Sequence, residues 1–215
     1  MVFTTPDGKT FETKKEWKKH YLSLLQFKNV SDQHDLVRRA PIVNGQGFEI
    51  ENVKNCTIMV LDNSEQVQID AVEDSKIFIG ACCSSVFIRD CKNCTFTVAC
   101  KQLRTRDCDN IEINLFCISE PVVEATTNAR IHPFNGSYAG IAKSFAAANL
   151  SVEQNTWYKV FDFSKDDASL PQPHFTVIRK VRAHFATVVL FSELLLLSRC
   201  RRWDPGAQVF VDVLF

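Results

Sequence analysis

The central part of the sequence repeats itself with a short period, and this repeat restricts the possible fold more than any other feature. Four polar corners can be aligned: NVKNC at 52–56, AVEDS at 71–75, DCKNC at 90–94 and DCDNI at 107–111. Their starts are separated by 19, 19 and 17 residues. Self-similarity at a nearly fixed period is typical of a solenoid, in which each repeat packs on its neighbours.

Each corner is flanked by two short apolar runs that are rich in β-branched and aromatic residues. A tight hairpin turn would need a signal such as Asn-Gly between the runs, and Asn44-Gly45 lies outside the repeat. The pattern therefore predicts an all-β core, a parallel β-helix of about five coils. The fifth coil is imperfect and runs through 121–126 and 129–134.

Alternation within the run before each corner separates inward from outward side chains. The inward columns are Phe48, Val67, Val86 and Leu103, and Ile50, Ile69, Ile88, Thr105 and Val123. The outward columns are Glu49, Gln68, Phe87 and Arg104, and Glu51, Asp70, Arg89, Arg106 and Glu124. The register thus predicts one charged outer face built from several coils. This face is either a binding surface or a ladder of weak surface salt bridges.

The sequence on both sides of the repeat predicts helices. Residues 11–27 have the apolar spacing of an amphipathic helix, with a capping box at 13–16 and four lysines, Lys14, Lys15, Lys18 and Lys19, on its polar face. That face is expected to be solvated, or to contact a membrane surface or a partner. Residues 29–44 are predicted to be a polar linker. Residues 137–150 are predicted to be a helix that caps the open end of the solenoid, with 155–157 and 161–163 packed against it.

Three parts are expected along the chain: an extension and linker at 1–34, the β-helix domain with its capping helix at 35–163, and a divergent tail at 164–215. The tail contains an apolar run at 183–198, which is shorter than the ~20 residues that span a bilayer. This run is expected to be a packed element, an interfacial segment or an unstructured end. A splice variant or a gene-model product would also explain its departure from the repeat.

Composition argues against several classes of function. The 25 basic residues balance the 25 acidic ones, so no nucleic-acid footprint is expected. Nine cysteines and a start without a secretory pattern indicate free thiols in a reducing, cytoplasmic compartment. Cys91 and Cys94 have metal-ligand spacing, but packing in the coils is favoured over metal or redox chemistry. No phosphate loop or nucleophile motif is present, so a self-contained enzyme is not expected.

Several ordered motifs resemble the tubulin cofactor C domain family. They are GQGFEI at 45–50, ACKQLRTRDC at 99–108, PVVE at 121–124 and NTW at 155–157, together with the repeated Asn-Cys corners. The resemblance covers about residues 35–163 and is strongest to the retinitis pigmentosa branch of the family. It implies a right-handed β-helix that acts as a GTPase-activating protein on an Arf-like small GTPase of ciliary traffic. The cofactor C branch of the family acts on tubulin instead.

The resemblance also implies roles for individual residues. Arg104 matches an arginine finger that is inserted in trans, with Gln102 beside it on the catalytic stretch. Glu124 matches a glutamate that contacts the GTPase, and Arg106 shapes the same surface. GTP and Mg²⁺ would be bound by the partner, and the chain would need no cofactor of its own.

Three further residues complete the expected partner surface. Arg89 and Asp70 share its outer face by register, and Lys101 lies just before the catalytic stretch. The family usually has glutamine at the position of Lys101, and lysine cannot both donate and accept hydrogen bonds. Partner binding with weakened activation is therefore expected, and a non-catalytic effector or scaffold of the GTP-bound GTPase is the alternative function. Because Val2 replaces the glycine of an acylated start, membrane contact at the ciliary base or membrane periphery would be indirect or through the basic helix.

Overall fold

The computed structural model describes residues 1–179, most of which belong to a stack of parallel β coils. The strands are β1 (Phe3–Thr4), β2 (Thr10–Phe11), β3 (Gln26–Ser31), β4 (Leu36–Arg39), β5 (Phe48–Lys54), β6 (Thr57–Leu61), β7 (Val67–Glu73), β8 (Lys76–Lys92), β9 (Thr95–Arg106), β10 (Glu112–Cys117), β11 (Val122–Glu124), β12 (Ala129–Pro133), β13 (Phe161–Asp162) and β14 (Phe175–Val177). The helices are α1 (Lys14–Leu24), α2 (Ile141–Ala147) and a short 3₁₀-helix at Val152–Gln154. The predicted β-helix is confirmed as a solenoid of about six turns, rather than about five.

Two ladders of parallel strands run along the stack. The first ladder contains β3, β5, β7, the C-terminal parts of β8 and β9, then β11 and β13. The second ladder contains β4, β6, the N-terminal parts of β8 and β9, then β10, β12 and β14. Because β8 and β9 continue from one ladder into the other, the two faces are joined within single strands.

Each polar corner contains two residues in the left-handed conformation. The pairs lie at 29 and 32, 52 and 55, 71 and 74, 90 and 93, 107 and 110, and 125 and 128. Asn52 and Asn55, for example, have φ of 54° and 50°, and asparagine and aspartate tolerate this region better than other non-glycine residues. Their side chains also bond between coils: Asn110 Nδ2 donates to Asn93 Oδ1 at 2.8 Å, and Asn93 Nδ2 donates to Asp74 Oδ1 at 3.0 Å. The corner motif therefore makes the turn and also bonds one coil to the next.

The predicted inward columns fill the interior of the solenoid. Their members are paired position for position on neighbouring strands and are at most 1% exposed. The structure thus confirms the register predicted from the repeat. Cysteines pack in the same interior, where the thiol of Cys108 donates to the carbonyl of Arg106 at 3.2 Å, as the packing interpretation predicts. Among residues 1–179, no group of three or more His, Cys, Asp or Glu side chains could hold a metal ion.

The N-terminal region corrects the prediction of a long helix followed by a linker. Helix α1 ends at Leu24, although its predicted capping box is present: Glu16 N–H donates to Thr13 Oγ1 at 3.3 Å. Strands β3 and β4 then add a first coil that spans the end of the predicted helix and most of the segment predicted to be a linker. Phe27, which is 6% exposed, pairs with Ile50 and closes this end of the core. The apolar Phe27 drives the segment into the stack, despite its polar neighbours.

Helix α2 corrects the prediction of a helix that caps the open end. It is shorter than residues 137–150 and lies along the flank of the second ladder. There it packs on an outer apolar column, Leu61, Ala81, Ala99, Phe116 and Phe134, that runs through the coils. Phe116 and Phe145, for example, have ring centroids 5.2 Å apart. This column is a second hydrophobic surface, on the outside of the solenoid. Because the column is large and apolar, its burial under α2 is favourable.

Part of the predicted tail belongs to the solenoid. Strand β14 pairs with β12, so the segment predicted to be a divergent tail contributes a strand to the solenoid. The remainder of the tail, including the apolar run at 183–198, lies outside the described residues. Within the part of the chain that the structure describes, no helix is both long enough and apolar enough to cross a membrane.

Candidate functional site

The outer face of the first ladder, called the arginine face here, brings together residues from five coils. One column is Glu51, Asp70, Arg89, Arg106 and Glu124, and the other is Glu49, Gln68, Phe87, Arg104 and Val122. These are the columns predicted from the repeat, with Val122 added. The strands fix their order, so acidic groups lie at the N-terminal end of the face and the arginines near its middle.

Two cations of the face, Arg89 and Lys28, are held by neighbouring carboxylates. Arg89 forms a two-pronged pair with Asp70, with Nε to Oδ1 at 2.5 Å and Nη2 to Oδ2 at 2.8 Å. This hydrogen bonding raises the pKa of Arg89 above its ordinary value. Lys28 likewise contacts Glu49 at 2.6 Å and Glu51 at 2.8 Å. The charges of Arg89 and Asp70 are therefore paired with each other.

Arg104 is held much more loosely than Arg89. Its Nη2 lies 3.9 Å from Oε2 of Glu124, which is beyond hydrogen-bond distance, and its side chain is 41% exposed. The guanidinium carbon lies 5.8 Å from the ring centroid of Phe163, within the range of a weak cation–π contact. The guanidinium of Arg104 is thus oriented by two neighbours and keeps donors available for a further acceptor.

The other predicted site residues surround Arg104 at different depths. Arg106 lies in the outer column and is 60% exposed, with its Nε 3.1 Å from Asp107 Oδ2. Gln102 is half-buried, and its Oε1 accepts from Ser85 Oγ at 3.2 Å. Lys101 is also half-buried, at the edge where β9 passes between the ladders, and Ser119 bonds its carbonyl at 2.8 Å. Lys101 and Gln102 therefore lie beside the arginine face, at the start of the strand segment that carries Arg104.

Phe161 and Phe163 belong to the arginine face, and the prediction that they pack against a capping helix is wrong. Phe161 pairs with Val122, and Phe163 N–H donates to the carbonyl of Val123 at 2.9 Å. Both rings point outward, being 49% and 61% exposed, with centroids 5.0 Å apart. The alternation Phe-Asp-Phe was the available sequence signal, since it is the period-two pattern of a strand.

The NTW motif at 155–157 explains how the chain reaches this position. Asn155 Oδ1 accepts from the backbone N–H of Cys117 at 3.0 Å, and Thr156 Oγ1 donates to the carbonyl of Ile118 at 2.9 Å. Trp157 is buried in the main core and not in the cluster around α2, so the prediction that 155–157 pack against the capping helix is wrong. These contacts anchor the chain at the end of β10, four residues before β13 begins.

The chemistry of the arginine face is that of a docking surface. It offers the donors of Arg104 and Arg106, the acceptor Glu124 and the two exposed phenyl rings within a small rigid area. Arginine forks suit phosphate and carboxylate oxygens, and aromatic rings are enriched at protein interfaces. The arrangement can bind a partner that presents an anionic group next to an apolar patch.

Comparison with known proteins yields one family match and two groups of relatives. The family model described as tubulin binding cofactor C matches residues 45–163. Tubulin-specific chaperone C of Mus musculus is 28% identical over 152 residues, which are 71% of this chain and 44% of that protein. Protein XRP2 of Gallus gallus is 41% identical over 122 residues, or 57% of this chain and 34% of that protein.

A second XRP2 relative and a solved structure complete the comparison. Protein XRP2 of Danio rerio is 38% identical over 133 residues, or 61% of this chain and 35% of that protein. The solved tubulin binding cofactor C from Leishmania major has a TM-score of 0.46 and 22% sequence identity, and the match covers 67% of this chain and 89% of that one. The chain thus spans less than half the length of the curated relatives it matches.

Proposed function

The chain belongs to the tubulin binding cofactor C family, and from this membership we propose that it is a GTPase-activating protein for an Arf-like small GTPase. In this proposal the arginine face docks on the GTP-bound partner, and Arg104 enters the partner's active site. The partner holds GTP and Mg²⁺. The chain contributes side chains only.

The contrast between Arg104 and Arg89 supports this role. Arg89 is engaged by two carboxylate oxygens of Asp70, whereas Arg104 has a 3.9 Å contact with Glu124 and a weak cation–π contact with Phe163. An arginine finger must be oriented and still have donors for the transferring phosphoryl group. Arg104 meets both conditions because a rigid strand carries it and its guanidinium is not saturated.

The expected chemistry is electrostatic. The planar guanidinium of Arg104 would donate to the phosphate oxygens on which negative charge develops as the bond to the γ-phosphate breaks. A finger supplied in trans accelerates GTP hydrolysis by roughly 10³ to 10⁵. Glu124 would orient the guanidinium from the neighbouring coil, and Arg106 and Phe163 would contact the partner beside it. Gln102 would help to place the catalytic stretch through its bond to Ser85.

A nucleotide-state-dependent scaffold is the second candidate, and the identity of Lys101 favours it. Lysine offers three donors and no acceptor, so it cannot both donate and accept at the edge of the active site. The same face could then recognise the GTP-bound partner without accelerating hydrolysis. Tubulin is the third candidate partner, since several relatives are tubulin-specific chaperones by name.

Single-turnover GTP hydrolysis separates these functions. A panel of Arf-like GTPases is loaded with GTP and mixed with increasing amounts of the chain, which gives a maximal rate and a half-saturating concentration for each. Arg104→Ala should lower the maximal rate by roughly 10³-fold, and Arg104→Lys should recover little, because the fork is lost. Arg39→Ala, a change of an exposed arginine on β4, is the matched control and should have no effect.

Each alternative has its own outcome in this assay. Tight binding to a GTP-loaded member of the panel without faster hydrolysis would establish the scaffold function instead. The tubulin function would be favoured if the chain, together with the other folding cofactors, stimulated the GTP hydrolysis of tubulin and stimulated no small GTPase of the panel. An unchanged maximal rate with Arg104→Ala would rule out the finger.

A further inference from the structure

A largely buried Asp162–His174 pair closes the last coil directly behind the exposed phenyl rings. Asp162 Oδ2 lies 2.7 Å from His174 Nδ1, and the two side chains are 12% and 3% exposed. Asp162 lies on β13 between Phe161 and Phe163, and His174 comes immediately before β14. The pair therefore links the two ladders across the interior of the terminal coil.

The position of Asp162 is unusual for a carboxylate. It pairs with Val123 and so continues the inward column that contains Ile69 and Ile88. A carboxylate in this apolar column loses hydration and is tolerated only when it is hydrogen-bonded or paired. His174 supplies that partner, so each residue gives the other a reason for being at the end of the core.

Further hydrogen bonds fix the pair in one arrangement. The second carboxylate oxygen, Oδ1 of Asp162, accepts from the backbone N–H of Ser164 at 2.8 Å. Ser164 Oγ in turn accepts from the N–H of Ala125 at 2.8 Å. The amide nitrogen of Gln172 lies 2.9 Å from Nε2 of His174. Both ring nitrogens of His174 therefore have a partner, Nδ1 in Asp162 and Nε2 in Gln172.

The pair matters for the arginine face because β13 is otherwise weakly held. It has two residues, and in the described part of the chain it pairs only with β11. Its outward neighbours, Phe161 and Phe163, lie against Val122 and near Arg104. An inward anchor on the residue between them fixes the direction of both rings.

We propose that Asp162 and His174 act together as a positioning device that holds Phe161 and Phe163 in register with the Arg104 strand for partner docking. His174 lies beyond residue 163, where the family match ends. The segment after the family domain thus sets the shape of the docking face. As far as it concerns the partner, this inference rests on the proposed function.

Three substitutions of His174 separate positioning from simple loss of a buried side chain. The amide nitrogen of asparagine falls near the place of Nδ1, so His174→Asn keeps a donor for Asp162. His174→Gln extends its amide toward the place of Nε2, and His174→Ala has no donor. Asp162→Asn, which retains one acceptor for two donors, is the second test site. His34→Ala, a change of an exposed histidine, is the control.

Hydrogen–deuterium exchange measures how firmly β13 is held, and it needs no partner. In His174→Ala and His174→Gln, the amides of 161–164 should exchange on the order of tenfold faster than in wild type, because local opening becomes easier. The amides of 95–106 should be unchanged, and His174→Asn should stay close to wild type. Equal exchange of 161–164 in wild type and all His174 variants would overturn the inference. So would acceleration spread evenly over 95–106 and 161–164.

The hydrolysis assay reads the consequence for docking. His174→Ala and His174→Gln should raise the half-saturating concentration on the order of tenfold while the maximal rate falls far less, because β9 still carries Arg104 and Glu124 still orients it. His174→Asn should restore it. A lowered maximal rate with an unchanged half-saturating concentration would overturn the docking role. If wild type stimulates no GTPase, the proposed function fails, but the exchange result still decides whether the pair positions β13.

Discussion

Arg104 and Glu124 lie at diagonal positions on neighbouring coils, with Nη2 and Oε2 3.9 Å apart and both side chains more than one-third exposed. An exposed pair at this distance contributes at most about 1 kcal/mol to the free energy of unfolding. Its main effect is to bias the direction of the guanidinium. The same face thus contains one arginine that is locked by its carboxylate, Arg89, and one that is only guided.

Replacement of the guiding carboxylate should affect docking far more than folding. Glu124→Gln should change the free energy of unfolding by less than about 1 kcal/mol, as measured by urea denaturation. It should lower the GTP hydrolysis rate at subsaturating concentrations of the chain several-fold, because Arg104 loses its orienting neighbour. Glu12→Gln, at an exposed position before α1, is the control. A loss of stability as large as that of a core mutation would show that Glu124 is structural.

Lys101 sets the expected strength of activation. Lys101→Gln restores a side chain that can donate and accept, so the maximal rate of GTP hydrolysis should rise about tenfold. The half-saturating concentration should change little, because the residue lies at the edge of the docking face. Lys143→Gln, on the exposed side of α2, controls for the loss of one positive charge. A maximal rate that falls with Lys101→Gln would mean that the lysine itself assists hydrolysis.

The inward and outward columns should respond very differently to truncation. Ile88 is fully buried and pairs with Ile69 and Thr105, so Ile88→Ala should lower the free energy of unfolding by about 2–5 kcal/mol. The adjacent Arg89→Ala removes an exposed ion pair and should lower it by less than about 1 kcal/mol. Denaturant unfolding followed by tryptophan fluorescence measures both. Similar values for the two variants would contradict the register.

The thiols should differ sharply in reactivity. Burial raises the pKa of Cys82 to about 11 and that of Cys94 to about 11, so neither forms much thiolate at pH 8. Cys83 is half-buried and more accessible. Brief treatment with iodoacetamide followed by peptide mass spectrometry should find Cys83 alkylated and the other two protected until the chain is unfolded. Rapid labelling of Cys94 in the folded protein would contradict its place in the core.

The contact of Asp7, between β1 and β2, with His20 of α1 should be weakened only in strong acid. The hydroxyl of Thr5, and then His20, lower the pKa of Asp7 from 3.8 to about 2. A depressed pKa means that the ionised carboxylate stabilises the folded state, so this contribution is complete above pH 3.8 and is lost as the pH falls toward 2. Thermal unfolding between pH 5 and 2 should show this loss, and Asp7→Asn should make the dependence on pH shallower, with the part due to Asp109, Glu153 and Asp167 kept. A variant with the same pH profile as wild type would exclude Asp7 as the group concerned.

The repeat predicted the register of the central coils because a slip of one residue would bury charged groups and expose aliphatic ones. That argument needs only local alternation, and so it also placed Arg89, Arg106 and Glu124 on one face. The first coil escaped the prediction because its corner is 23 residues from the next, as the Asn29–Asn52 contact shows, and departs from the spacing of the others. Periodicity fails where the loop between two coils lengthens.

Two other features depended on contacts that local patterns do not encode. The flank position of α2 follows from an apolar column that is assembled from separate coils, including Ala99 and Phe116. The place of Phe163 follows from anchors such as Asn155 on Cys117, which are 38 residues apart. Sequence alternation indicated that Phe161 and Phe163 share a face, but only the pairing with β11 shows which face.

The constant rise between coils fixes the spacing of equivalent residues along the arginine face. Neighbouring parallel strands are about 4.8 Å apart, so Arg106, Glu124 and Phe163 follow one another along the stack at intervals of about this length. A coil inserted before β8 would lengthen the protein and leave the spacing of these three residues unchanged. A coil inserted between β9 and β11 would move Glu124 and Phe163 one strand spacing further from Arg106. The interval that a partner must match is therefore fixed by the backbone, and only changes after β9 can reset it.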